Sequence, residues 1–282
     1  MDTAETPHPA RRVWLAIEPV HAVTYFDDGC RAAADELGMK GFWMGYFAFR
    51  AAPLGEVGPA PVEAIFAGFL PRWVARALPD AWSYATPEAC LRARSASAAA
   101  ALRRVGVTDA VAGEAAAVLE PVVDGLTVTG RPLAAANKVL ALPEDPVERL
   151  WQLTTTLREH RGDGHVAALV AAGLSGLDAH LLHVAAGEAK WGSRGWSDDE
   201  RAIAESSLRT RGLLDRSGAL TAAGAEVRSS VEAATDLVAW AGGLSDLGED
   251  GVADVERVLA PATDAASGLL WFPNPIGLPA RG

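Results

Sequence analysis

A mainly α-helical protein of two pseudo-repeated halves with short β-hairpins is the fold class that this sequence predicts. Three observations lead there. Half of the 282 residues are hydrophobic, yet β-branched residues seldom alternate over more than a few positions, so the dominant period is helical. Helix-start signals recur along the chain, and short similar segments return at a slowly drifting spacing.

Taken in order, the apolar periodicity predicts helices near 9–37, 40–52, 60–78, 86–105, 110–124, 131–141, 145–160, 164–174, 177–187, 197–212, 221–242 and 250–268, each end good to about two to four residues. Thr86-Pro87-Glu88 sets a cap residue before a first-turn proline, and Ser197 with Glu200 forms a capping box. Ser217-Gly218 lies between GLLDR and ALT, which reads as a short hairpin, and Thr221 caps the helix that follows.

The repeat is read from ordered offsets. Gly45-Tyr46-Phe47-Ala48 returns as Gly164-His165-Val166-Ala167, Glu63 as Asp178, Trp82 as Trp196, Thr86 as Ser197, and Gly113 as Gly224. Those spacings shrink from 119 to 111, as a duplication with small deletions produces. The expected domains are 9–126 and 131–245, joined through DGLTVTG, with 246–282 as a helix and tail on the core.

The order helix, hairpin, LT-x-x-G, helix over roughly 45 residues from Ser197 is that of a winged helix-turn-helix, and it looks like the wing region of a MarR-type regulator. EPVHAVTYF (18–26), GFWMGYFAFRAAPLG (41–55) and LREHRGDGHVAAL (157–169) extend the likeness. Through them the chain resembles a family of actinobacterial helix-turn-helix proteins with no firmly assigned chemistry. The resemblance implies tandem winged-helix-like halves and supplies a fold more than a function.

Candidate site residues gather in three places. Arg158 to His165 (REHRGDGH) reads as a helix end at His160, a glycine-hinged corner, and a second helix capped by Asp163. Capping and surface ion pairs are one meaning of such a cluster. The other is the polar wall of a ligand pocket, with Arg158 or Arg161 pairing an anionic or carbonyl group, His160 beside it, and His165 as a hydrogen-bond partner or acid–base group. Glu18, His21 and Tyr25 are helix-spaced, with Pro19 intruding. Arg50, in an otherwise apolar run, needs a carboxylate if buried, and Glu18 or Glu159 are its candidates. Trp43 and Tyr46 complete the expected ligand set as stacking and polar groups. The ligand expected at the junction of the halves is small, aromatic or anionic.

Other functions are weighed by charge and motif. The net charge is −11, which opposes a surface built wholly to grip polyanions. Residues 190–230 alone carry a positive balance, seven basic against six acidic. Arg201, Arg209, Arg211 and Arg216 are therefore the DNA-contact candidates, although Glu205 stands between the first two. No nucleophile elbow, phosphate loop, dinucleotide fingerprint or CxxC occurs. An enzyme using His165 with Asp163 or Glu159 for acid–base work, cofactor-independent or metal-dependent, is the alternative function. His180 and His183 share a helix face but lack a strong metal spacing, so no metal or cofactor is predicted. Cys30 and Cys90 read as buried thiols. The acidic, proline-bearing start is unlike a signal peptide, and 164–187 is too polar to span a bilayer. A cytoplasmic protein without membrane contact is expected, and a homodimer is compatible with it.

Overall fold

The computed structural model describes residues 6–192, 194–272 and 274–279. In chain order its helices are α1 (Pro9–Phe26), α2 (Asp28–Glu36), α3 (Phe42–Ala51), α4 (Pro59–Ile65), α5 (Pro71–Ala77) and α6 (Pro87–Arg104). After them come α7 (Asp109–Gly125), α8 (Pro132–Lys138), α9 (Pro146–Ala171), α10 (Gly176–Ala185), α11 (Asp198–Thr210), α12 (Ala222–Ala241) and α13 (Gly248–Ser267). The mainly α expectation holds. The β-hairpins do not: among the described residues the one extended pairing is an isolated antiparallel bridge between Leu214 and Leu220. Asp215 Oδ1 accepts from the backbone N–H of Ser217 and of Ala219, so the chain reverses inside an Asx turn before strands can grow.

Two compact units emerge, and each draws on several stretches of chain. The first takes Met1–Cys30, Ser95–Gly164 and Thr235–Leu270; the second takes Arg31–Arg94, His165–Ala234 and Trp271–Gly282.

In the first unit, α1 starts at Pro9, a residue pre-set for the first turn, and His8 caps it by accepting from Ala10 N–H at 3.2 Å. Val13, Ile17 and Val20 bury one face, and α13 lies along α1 with Val255, Leu259 and Ala262 facing the core. Thr263 Oγ1 donates to the Ala16 carbonyl at 2.6 Å, which ties the two helices with a buried bond. Thr108 caps α7, whose Ala112, Ala115, Ala116, Leu119 and Val123 make the stripe that meets α13.

Four expected helices are divided differently: two of them split and two merge. The 9–37 helix breaks at Asp27, which turns extended and accepts from the N–H groups of Gly29 and Cys30, so it caps α2. The 60–78 helix splits because Pro71 pushes Leu70 into the extended region. Conversely, 145–160 and 164–174 are one helix, α9, running through Gly162 and Gly164. The hinged corner at REHRGDGH is thus corrected. Glycine is tolerated here because Val238 packs close: a methyl on Gly164 would stand 3.0 Å from its Cγ2.

The second unit holds an aromatic cluster and helices α10 and α11. Trp43 meets Trp73 at 4.8 Å and Phe69 at 5.4 Å between ring centres, with Tyr46 and Phe47 in the same group. Capping boxes open α10 (Ser175 with Asp178) and α11 (Ser197 with Glu200). Gly176 is required by contact, since a Cβ there would overlap the Ala67 carbonyl oxygen. Thr221 caps α12 as expected, accepting from Gly224 N–H at 3.0 Å. Cys30 and Cys90 are buried free thiols.

Candidate functional site

Within the first unit, α1 and α9 press polar side chains together where apolar ones would be ordinary. Glu18 and Glu159 are 1% and 2% exposed. Both meet Arg158, whose Nε stands 3.5 Å from Glu18 Oε1 and whose guanidinium donates to Glu159 Oε2 at 2.8 Å. Trp14 Nε1 donates to the other Glu18 oxygen at 3.0 Å. Burial pushes the Glu18 carboxyl above the ordinary range, and Arg158 pulls it back only in part.

One turn further along α1, buried His21 sits between Thr155 Oγ1 and Tyr25 Oη, both at 2.9 Å. The direction of this chain follows from proton counting. Thr155 Oγ1 donates its proton to the Trp151 carbonyl at 2.8 Å, so towards His21 it accepts. In the neutral imidazole, His21 Nδ1 then carries the hydrogen and Nε2 presents a lone pair to the Tyr25 hydroxyl. Trp151 Nε1 donates to the His21 carbonyl at 3.1 Å, and the two rings stack. Outside this group Asp236 joins Arg11 and Arg161, at 3.0 and 2.9 Å, and Arg161 lies over the Trp14 ring.

The remaining expected site residues make the following contacts. His160 is buried and 3.1 Å from the Thr127 carbonyl; burial holds its imidazole down at about 4, with Arg131 adding to the effect. Asp163 does not cap a helix of its own segment. Its Oδ2 accepts from Leu133 and Ala134 N–H at 2.9 Å, opening α8. On a continuous helix Asp163 and His165 point roughly 200° apart, so they do not converge on one reacting atom. His165 Nδ1 is 3.8 Å from Glu232 in the second unit. There Arg50 donates to Tyr46 Oη at 2.9 Å and lies 4.0 Å over the Phe66 ring, and Trp43 belongs to the aromatic core. His183 meets Glu188 at 3.0 Å and His180 stacks on Trp191. Among the described residues no three His, Cys, Asp or Glu side chains gather as metal ligands.

On α11, Glu205 binds Arg201 at 2.6 Å and Arg209 at 2.8 Å. Arg211 is 3.6 Å from Asp178, and Arg216 is exposed. Asp198, Asp199 and Glu200 crowd the first turn of α11. Its outward residues are Ala202, Ser206, Ser207, Thr210 and Ile203, the last 74% exposed.

Trp14 and Thr155 were not among the expected site residues. Trp14 precedes Glu18 by one helical turn, and Thr154-Thr155-Thr156 is a β-branched run inside a helix, an unfavourable choice that marks a special role.

A helix-turn-helix family matches residues 10–273. The chain belongs to this family. The match runs through both compact units. No curated protein and no solved structure matches it. Among the described residues, no single helix is long and apolar enough to cross a membrane.

Proposed function

We propose that this helix-turn-helix protein senses or sequesters a small aromatic or anionic molecule on the α1–α9 polar cluster, with DNA contact through 197–216 as its regulatory output. One observation carries the reading: two carboxyls almost wholly withdrawn from water both meet Arg158 in the middle of a helical core. Burying such ions costs several kcal/mol each, and apolar residues of similar size commonly give an equal or more stable core. Stability alone does not account for the choice. Arg158 and Tyr25 retain partial exposure, so they are the groups that meet an incoming ligand, Arg158 as the partner of an acid and Tyr25 through its hydroxyl. The acid–base alternative has less support, because Asp163 is committed to α8.

Native mass spectrometry of the purified protein, with thermal shifts for benzoate and phenylacetate, tests this. A bound mass or a raised melting temperature is expected, and Tyr25→Phe and Arg158→Met weaken it at least fivefold while helix content is unchanged. A protein that carries no extra mass and responds to no acid, or variants that bind as the parent does, would remove the α1–α9 cluster from consideration.

A further inference from the structure

Helices α1 and α9 begin alike. Pro9, Arg12, Val13 and Trp14 correspond to Pro146, Arg149, Leu150 and Trp151, each 137 positions later. The likeness continues in the same order. Thr86, which precedes α6, matches Thr221 before α12 at 135, and Leu119-x-Pro121 inside α7 matches Leu259-x-Pro261 inside α13 at 140.

Geometry supplies an independent check. In a twofold interface every contact between i and j recurs between j and i. At an offset of 137, the contact of His21 with Thr155 must recur as Arg158 with Glu18. Both exist, at 2.9 and 3.5 Å. Likewise Arg12 of α1 reaches Glu256 of α13, and its counterpart Arg149 of α9 reaches Glu120 of α7. The two glutamates differ from strict equivalence by one helical turn.

We infer that the α1–α9 contact is an internal dimer interface: the chain carries its own second copy, in a register of 135–140, and the polar cluster sits on the pseudo-twofold axis. This register replaces the offsets of 111–119, which set Thr86 before α6 against Ser197 before α11 and so match helices that hold different places. Fusion has freed the copies to diverge on the axis. One arm is Glu18 with Arg158 and the other Thr155 with His21, an asymmetric pair that two identical chains cannot present. A second chain is not needed to complete the interface. The inference stands whether or not a ligand binds.

The test exchanges the axis residues of the full chain. One half-exchange is Glu18→Thr, His21→Arg and Ala22→Glu; the other is Thr155→Glu, Arg158→His and Glu159→Ala. Each half alone strands buried charge and lowers the thermal midpoint by roughly 10 °C. Combined, they rebuild both arms in swapped positions, with Trp151 now one turn before a carboxyl as Trp14 is. Recovery of at least half the loss is expected, or folding of the combined variant if neither half folds. Recovery of less than half, failure of the combined variant to fold, or half-exchanges that lose nothing would each overturn the inference.

Discussion

At the scale of single residues, the two buried imidazoles of the first unit behave differently because their neighbours do. His21 is oriented by hydrogen bonds to Thr155 and Tyr25. His160 is held neutral by burial, with Arg131 opposing any added charge. Its folded value, about 4, lies below the ordinary 6.5. The stability that follows is present above pH 6.5 and is lost as pH falls towards 4, by roughly 3 kcal/mol for a shift of that size. His160→Gln keeps an N–H for the Thr127 carbonyl and has no imidazole to protonate. Urea unfolding from pH 7 to 4 is expected to show a shallower decline for the variant than for the parent. Equal slopes would place the acid sensitivity in another group, such as His180, which burial also holds down at about 4.

Elements are where reading from sequence succeeded and failed in instructive ways. Caps were legible, because Ser197, Thr86 and Thr221 precede apolar periodic runs and such residues satisfy backbone N–H groups that nothing else reaches. The polar run REHRGDGH was misread. Its glycines and charges resemble a turn locally, while the partners that keep α9 straight come from distant stretches: Thr127 for His160, Leu133 and Ala134 for Asp163. No local pattern holds that information. The same holds for the candidate site: Glu18, His21 and Tyr25 were legible from helix spacing, whereas Thr155 became visible only against α1. Asp163 also sets a test. It is the cap of a seven-residue helix that follows a poor capping residue, Arg131. Asp163→Ala is expected to cost about 2 kcal/mol and to expose the amides of Leu133 and Ala134 to hydrogen exchange. Unchanged protection of those amides would mean that α8 stands without its cap.

For the whole molecule, charge limits the DNA contact proposed for 197–216. With a net charge of −11, and with Arg201 and Arg209 committed to Glu205, exposed Arg216 and Arg211, whose pair with Asp178 is longer at 3.6 Å, are the cations of 197–216 best placed for phosphate. About two phosphate contacts give a log–log salt dependence of affinity near −2, far shallower than that of regulators with many such contacts. Anisotropy titrations with the upstream duplex of the protein's own gene, from 50 to 200 mM salt, are expected to show that slope, reduced by about 1 in Arg216→Ala. A slope of −5 or steeper would mean that the Glu205 pairs open on DNA. The proton order at His21 has a consequence of its own. While the imidazole is neutral its Nε2 offers a lone pair, so whatever takes the place of the Tyr25 hydroxyl there has to bring a hydrogen: an alcohol, an amide or an ammonium is admitted at that spot, and a bare carboxylate is turned towards Arg158.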